Sequence, residues 1–351
     1  MTRVSDFRSG TTELTANEAR AWRRFDIRFG ASLAVLSAAI FLLLLFIDPY
    51  DSGRLMHYGT LGVVDENPRT ADVSRARDQA FDAAIFGNSR GQMLDPAQLS
   101  AETNFKFVQL TIPGTGPREQ LSLLDWFVRH HHHIGAIIFV TDPAWCTQDA
   151  ALPELNPFPF WLYSDNTINY LRNLFRTEAL TRAWRRTLLW LGLRHRSRPD
   201  GYWDYEIDRK WAFQPQVSRN FSPAELAPKA PVLAFPAVAA LSAAFGELPA
   251  GVALSFVMPP TFYAGLPSIG DPAADQIVQC KGALIAFAER FGGSFLDFNV
   301  DGPLARDNKN FMDTAHYRRN VANEMAIQIG AALARNAHAS ANSAREQGPR
   351  P

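Results

Sequence analysis

The chain has 351 residues, of which 47% are hydrophobic and 20% are charged, so it is long enough to bury a large core. Its 35 basic and 35 acidic residues leave no net charge, which gives no indication of nucleic acid as a partner. Two cysteines, Cys146 and Cys280, are too few for a disulfide framework. They form either one bond in an oxidising compartment or two buried free thiols, because spacing alone cannot decide between these states.

An uncharged apolar segment, Phe29–Ile47, lies near the N-terminus. As a helix rising about 1.5 Å per residue, it nearly spans a hydrocarbon core of roughly 30 Å. The nearest charges before it are mostly basic and the first charges after it are acidic: Arg20, Arg23, Arg24 and Arg28, then Asp48 and Asp51. This asymmetry predicts a single-pass anchor in the inner (cytoplasmic) membrane, with residues 1–28 as a cytoplasmic tail and a periplasmic domain. The alternative is a cleaved signal peptide, although Ile47–Tyr50 is a poor cleavage site.

Residues 48–80 resemble a stalk, and an α/β pattern begins after them. Five short apolar runs predict buried strands: Phe81–Phe86, Phe105–Ile112, Ile134–Val140, Gly251–Met258 and Ser294–Phe298. Apolar residues at helical spacing predict helices over Arg118–His130 and Ala273–Phe291. Alternating strands and helices predict an α/β domain over residues 81–335, a three-layer sandwich with a mainly parallel sheet. Residues 336–351 are expected to form a disordered tail.

Residues 150–230 differ from the rest of the domain because they concentrate aromatic residues and arginines. We interpret them as a helical insertion. It either caps the functional site or rests on the membrane surface, because basic amphipathic helices favour anionic interfaces. An extra helical layer with solvated arginines fits the same pattern, since periodicity does not separate a lid from a packed layer.

Two polar motifs stand at opposite ends of the predicted domain. Ser89 follows the first strand, where ligand sites of parallel sheets lie, although its turn is also typical of a helix N-cap. Asp313 precedes His316 by three residues, a spacing that lets the carboxylate orient an imidazole for taking a serine proton. Each motif alone occurs by chance, whereas the pair in this order is far more specific.

The pair resembles the SGNH (GDSL-like) hydrolase superfamily, over residues 81–333 outside the insertion. Within that superfamily the chain looks like two groups of membrane-anchored proteins of polymer acylation, the D-alanine transfer proteins of teichoic acid and the alginate O-acetylation proteins. Besides the anchor, three segments carry the resemblance: Ala84–Arg90, Thr141–Cys146 and Phe311–Tyr317. They are similar, in order, to a strand-Gly-x-Ser block, to the S-P-Q-W-F block of the D-alanine transfer proteins, and to a D-x-x-H block.

This resemblance implies roles for individual residues and a reaction. Ser89 would be the nucleophile, His316 the general base and Asp313 its orienting partner. The backbone N–H groups of Ser89 and Gly114 would form the oxyanion hole. The implied reaction is acyl transfer through an acyl-serine intermediate to an envelope glycan or exopolysaccharide, with a lipid-linked saccharide as another possible substrate. A membrane-bound acyltransferase would be a candidate partner.

Other residues in these segments have competing interpretations. Residues 141–143 lack the asparagine that usually supplies a third oxyanion donor, and Asn88 replaces the aspartate of a Gly-Asp-Ser start. Asn88, Arg90 and Trp145 are candidate substrate-binding residues, although Trp145 equally fits core packing and Arg90 a structural cation. The run His130–His133 offers metal ligands, but adjacent histidines point in different directions and no spaced carboxylate or cysteine accompanies them. We therefore expect neither a metal nor a cofactor.

Three functions compete on this sequence. An anchored serine O-acyltransferase comes first, and an anchored carbohydrate esterase that removes acyl groups uses the same three residues. The third is a catalytically silent scaffold in envelope-polymer modification, which the missing asparagine favours.

Overall fold

The computed structural model describes residues 16–56, 62–64, 67–207, 213–214, 233–268 and 270–346. A parallel sheet forms the centre of an α/β domain, with strands β1 (Ala83–Gly87), β2 (Phe107–Thr111), β3 (Ala136–Val140), β4 (Ala253–Met258) and β5 (Ser294–Asp297). The helices are α1 (Ala16–Ile47), α2 (Pro68–Arg75), α3 (Pro96–Glu102), α4 (Pro117–His130), α5 (Phe160–Tyr163), α6 (Thr167–Leu174), α7 (Thr177–Trp190), α8 (Pro236–Phe245), α9 (Pro272–Arg290), α10 (Pro303–Arg306) and α11 (Arg319–Glu346).

The sheet has the order β2-β1-β3-β4-β5, and every neighbouring pair is parallel. The α/β class and the five strands predicted from the sequence are confirmed, with strand ends within two residues of those predicted. The chain passes from β1 to β2 on one side of it and then from β2 to β3 on the other side of β1, so the strand order reverses beside β1. Open parallel sheets bind ligands at the carboxyl ends of such strands, and Ser89 follows β1 there.

Helices cover both faces of the sheet, which confirms the predicted three-layer arrangement. Phe86 in β1 belongs to the core formed with α4, α8 and α9, whereas its neighbour Ile85 belongs to the core formed with α3 and α11. Because β1 and β3 are buried on both faces, each is a continuous apolar run rather than an alternating one, whereas β2 and β4 each include a buried polar residue, Gln109 and Ser255. This composition is what made the strands recognisable in the sequence.

The N-terminal helix α1 is long and apolar enough over Asn17–Ile47 to cross a membrane, and most of it is exposed. Its 32 residues extend about 48 Å at 1.5 Å per residue. The helix is consistent with a single-pass anchor. It also includes residues 16–28 of the predicted cytoplasmic tail, and residues 1–15 lie outside the described residues. At the other end, α11 continues through residues 336–346 of the predicted C-terminal tail.

The described residues of the segment predicted as a stalk fold onto the domain. Residues 48–53 are buried, and α2 contributes a largely buried face beneath α5 and β2. A cluster of polar side chains, buried except for the part-buried Arg77, connects this segment to α7, and we call it the juxtamembrane joint: Asp48, Asp51, Ser74, Arg77 and Arg186.

Asp51 is the centre of the juxtamembrane joint. Its Oδ1 lies 2.7 Å from Nη2 of Arg77 and 2.5 Å from Nη2 of Arg186, while its Oδ2 accepts from the Ser74 hydroxyl at 2.6 Å. Arg186 also donates from Nη1 to the backbone carbonyl of Asp48 at 2.9 Å. One buried carboxylate therefore ties the end of α1 to α2 and α7. A stalk would leave these groups in water, whereas here their pairing permits burial.

Residues 150–207 of the insertion contact two different parts of the molecule. Helix α7 packs against the end of α1, whereas residues 202–207 return to the carboxyl edge of the sheet, where Tyr205 contacts His316. Residues 208–212 and 215–230 of the insertion lie outside the described residues.

Cys146 and Cys280 form a disulfide, with their Cα atoms 5.4 Å apart. It joins the short turn after β3 to the middle of α9. Of the two states that the sequence left open, the structure contains the bonded one.

Candidate active site

The turn that presents Ser89 depends on its two preceding residues. Gly87 has a φ of +152°, and a Cβ there would lie 2.9 Å from the Cβ of Val140, so a side chain does not fit. Asn88 accepts from the backbone N–H of Arg90 through its side-chain oxygen at 3.0 Å, which caps a short 3-10 turn beginning at Ser89. The N-cap interpretation therefore applies to Asn88, and the Ser89 hydroxyl bonds elsewhere.

His316 lies between Ser89 and Asp313. Its Nε2 is 2.8 Å from the Ser89 Oγ, and its Nδ1 is 2.9 and 2.8 Å from the two carboxylate oxygens of Asp313. With Asp313 ionised, these partners assign the proton to Nδ1, which leaves Nε2 to accept from the serine hydroxyl. The Oδ1 of Asp313 also accepts from the backbone N–H of Ala315 at 2.9 Å, so the loop itself orients the carboxylate. The side chains of Ser89 and His316 are hydrogen-bonded although the two residues are 227 positions apart in the sequence.

The electrostatics of this group keep Asp313 charged. Burial raises the pKa of Asp313, but hydrogen bonds from His316 and from the backbone N–H of Ala315 outweigh that effect and hold it at about 2. The side chains of His316 and Asp313 are 23% and 44% exposed, and Ser89 is half-buried. A molecule arriving from solvent therefore reaches the serine and the imidazole.

The loop after β2 runs beside the serine turn. The backbone N–H of Ile112 donates to the carbonyl of Gly87 at 3.0 Å, which places the start of this loop next to Ser89. Gly114 follows with a φ of +64°, and its carbonyl accepts from the side chain of Asn156 at 2.8 Å. The left-handed backbone explains the glycine. Its oxyanion role stays a prediction.

Asp142 stands in the segment that lacks the asparagine of the SGNH pattern. Its Oδ2 accepts from the side-chain amide of Asn88, and its Oδ1 accepts from the backbone N–H of Ala144 at 2.9 Å. Burial raises the pKa of Asp142, while the nearby guanidinium of Arg90 opposes the rise. Asp142 therefore acts as a buried acceptor that fixes Asn88, which is itself buried, rather than as an oxyanion donor.

Arg90 is also buried and connects the serine turn to the histidine loop. Its Nη2 donates to the carbonyl of Pro259 at 2.8 Å and to the hydroxyl of Thr261 at 2.6 Å. The next residue, Phe262, donates its backbone N–H to the carbonyl of Thr314 at 2.9 Å. This series of contacts fits a structural cation that positions the loop holding His316.

Trp145 faces the core in this structure. Its side chain has no exposed surface, its indole packs edge to face on Phe139 with centroids 5.1 Å apart, and its Nε1 donates to Gln120 at 3.2 Å. These contacts correspond to the core-packing interpretation of this residue.

Tyr205 is the site residue that sequence reasoning missed. Its hydroxyl lies 3.5 Å from the carbonyl of Ser89, and its ring meets the His316 imidazole edge to face with centroids 6.2 Å apart. The only sequence signal was its place in the aromatic-rich insertion, which does not distinguish one aromatic residue from the next.

The histidine run caps the end of α4. His130 and His131 contact the backbone carbonyls of Trp126 and Phe127 through Nδ1 at 2.7 and 3.0 Å. Burial lowers the pKa of both histidines. Within the described ranges, no group of three or more histidine, cysteine or acidic side chains is arranged to hold a metal ion.

Comparison with known proteins adds no identification: no family model and no curated protein sequence matches this chain. The resemblance to the SGNH superfamily therefore rests on the short sequence segments quoted above. The hydrogen bonds from Ser89 through His316 to Asp313 are a physical observation that does not depend on this resemblance.

Proposed function

We propose that the chain is a membrane-anchored, extracytoplasmic acyltransferase of SGNH type that acts through an ester on Ser89. The observation that carries the proposal is the hydrogen-bonded series from the Ser89 hydroxyl through His316 to Asp313, at the carboxyl end of β1. A serine, an imidazole and an ionised acid hydrogen-bonded in this order form a general device for activating a weak nucleophile.

In the first half-reaction, the Oγ of Ser89 attacks the carbonyl carbon of a donor ester while its proton passes to Nε2 of His316. Backbone N–H groups of Ser89 and Gly114 donate to the resulting oxyanion. The bond to the donor alcohol then breaks, and His316 returns the proton to the departing oxygen. Asp313, ionised throughout, stabilises the imidazolium formed in between.

In the second half-reaction, an acceptor hydroxyl loses its proton to His316 and attacks the carbonyl carbon of the ester on Ser89. The bond between that carbon and the Ser89 Oγ then breaks, and His316 returns the proton to the serine oxygen. A sugar hydroxyl as acceptor gives transfer, and water gives hydrolysis. The substrate class we propose, an envelope glycan or lipid-linked saccharide, comes from the sequence resemblance. A membrane-bound acyltransferase that supplies the acyl donor is the proposed partner.

Location outside the cytoplasm is supported by two observations. Arginines precede the apolar part of α1 and aspartates follow it, which favours a cytoplasmic N-terminus in the inner membrane. The disulfide between Cys146 and Cys280 fits an oxidising compartment such as the periplasm.

The test uses the full chain in detergent micelles. Labelling by a fluorophosphonate should occur at Ser89 and fall at least a thousandfold in rate in Ser89→Ala and His316→Ala, as expected for a nucleophile and its base. Ser164→Ala, which removes a serine outside the site, is the matched control. Unlabelled wild-type protein would favour the silent scaffold, and full activity in both site variants would refute the mechanism.

Transfer is separated from hydrolysis by supplying a p-nitrophenyl ester with and without a soluble polysaccharide. Ester appearing on the polysaccharide, detected by mass spectrometry and absent in Ser89→Ala, would establish transfer. Release of free acid alone, unaffected by the acceptor, would instead assign the esterase.

A further inference from the structure

The turn after α7 exposes two large apolar side chains. Leu191 and Leu193 are 65% and 70% exposed, and Gly192 between them has a φ of +69° with open space around it. Contiguous exposed apolar surface of this kind marks sites where a protein meets lipid or another protein. We call residues 190–194 the α7 turn.

Three contacts show how α7 lies along the chain that leaves the membrane helix. Near its C-terminal end, Trp190 packs on Phe46 with ring centroids 6.2 Å apart. One turn earlier, Arg186 donates to the carbonyl of Asp48, and another turn back the guanidinium of Arg182 lies 5.3 Å from the ring centroid of Tyr50. Moving along α7 toward its C-terminus thus means moving back along the chain toward α1.

The α7 turn is therefore level with Phe46, which belongs to the apolar stretch of α1 and is half-exposed. The outward face of α7 continues the apolar surface, because Trp184 is 63% exposed and Leu180 is exposed one turn before it. Arg185, next to Trp184 in the sequence, and Arg194, next to Leu193, are also exposed. Apolar side chains flanked by arginines are the composition of an interfacial membrane-binding surface.

We propose that the α7 turn inserts into the bilayer that α1 crosses, with Leu191 and Leu193 among the acyl chains and Arg185 and Arg194 on anionic lipid phosphates. The occupant of this surface is lipid because the turn is continuous with the anchor. The proposal requires α1 to span the membrane, but it does not depend on the chemistry proposed for Ser89.

The test places a polarity-sensitive nitrobenzoxadiazole label at Leu193→Cys in the full chain, since both native cysteines are bonded to each other. Val278→Cys, on the exposed face of α9, is the matched control. In vesicles of phosphatidylcholine and phosphatidylglycerol mixed two to one, the label at 193 should brighten severalfold and be quenched by nitroxide lipids. The label at 278 should remain open to aqueous iodide. Equal iodide quenching at both positions, with the chain still bound through α1, would overturn the proposal.

The arginines are tested separately. Removing phosphatidylglycerol, or changing Arg185→Gln and Arg194→Gln together, should weaken nitroxide quenching at position 193, because basic residues near an anionic surface attract the segment that carries them to that surface. Arg290→Gln, on α9, should leave the quenching unchanged. If nitroxide quenching at position 193 is the same with and without anionic lipid, and with and without these arginines, then Arg185 and Arg194 do not bind lipid phosphates and that part of the proposal is wrong. Fluorophosphonate labelling of Ser89 reports on the active site independently in every variant.

Discussion

Asn88 and Ser89 are adjacent in the chain and differ in what they contact. Asn88 is buried, caps the turn and donates to Asp142, whereas Ser89 is half-buried and bonds to His316. An apolar strand can end in this polar pair because each side chain has a partner. The asparagine in place of the aspartate of a Gly-Asp-Ser start therefore has a structural role, since its amide donates where a carboxylate would only accept.

Removing the charge of Asp313 tests its contribution. Asp313→Asn keeps the size of the side chain but no longer stabilises a protonated His316, so we expect ester turnover to fall by about two to four orders of magnitude. Initial rates on a small ester measure this. Asp301→Asn, which alters an exposed ion pair with Arg306, should retain the parent rate. A turnover unchanged in Asp313→Asn would mean that Asp313 does not support His316.

Asp72 gives a prediction for the pH dependence of stability. Burial raises its pKa from 3.8 to about 7, despite an ion pair with Arg75 at 2.9 Å. Between those values the folded protein binds more protons than the unfolded chain, so the free energy of unfolding should fall as pH rises. Denaturant titrations at about pH 5 and about pH 7.5 should show this fall in the parent and a smaller one in Asp72→Asn. Identical pH dependence in both would contradict the assignment.

At the scale of elements, the juxtamembrane joint makes α1 part of the domain. The last turn of α1 is buried at Leu44 and Ile47, and Asp51 ties the following segment to α2 and α7. The sequence indicated an anchor and, separately, an arginine-rich insertion. It gave no sign that one arginine of the insertion, Arg186, meets Asp51 across 135 positions, because such pairing depends on tertiary distance alone.

Replacing Asp51 should weaken the joint. Asp51→Asn leaves the buried guanidinium groups of Arg77 and Arg186 without their counter-charge, which costs about 3–5 kcal/mol in comparable buried pairs. We expect faster proteolytic cleavage between α1 and the domain, and a lower denaturant midpoint. Asp125→Asn breaks an exposed pair with Arg129 and should change stability by about 1 kcal/mol or less. Proteolytic cleavage of Asp51→Asn at the parental rate would show that the juxtamembrane joint contributes little to holding α1 against the domain.

At the scale of the whole molecule, the disulfide closes a loop that contains the insertion. Its cysteines are 134 residues apart, so Cys146→Ser with Cys280→Ser should lower the free energy of unfolding by about 2–5 kcal/mol. Urea unfolding of the full chain in detergent measures the change. A reductant should destabilise the parent by a similar amount and leave the double variant unaffected. If the reductant lowers the free energy of unfolding of the parent and of the double variant equally, its effect does not come from breaking this disulfide.

The sheet was predictable because its strands are apolar runs ended by glycine, proline or polar residues, as buried parallel strands require. Ser89, Asp313 and His316 were predictable as candidates because each follows a recognisable local pattern. Their distances were not, and neither were the contact of Tyr205 with His316, the partners of Asp51 or the bond between the cysteines. Those features depend on which loops the fold brings together, and local patterns in one sequence do not contain that information.

The buried connection at Asp51 also bears on how far Ser89 lies from the end of α1. A domain on a flexible stalk would sweep a range of distances above a bilayer, whereas the ion pairs of Asp51 join this domain to α1, so that an α1 spanning a membrane would hold Ser89 at a constant distance from it. Under the proposed function, acyl donors that diffuse in the membrane would have to offer their ester at that distance, and a polymer would be modified only where it passes through the same narrow layer. Lengthening the chain between Ile47 and Asp51 would move the serine out of that layer without altering any residue around it.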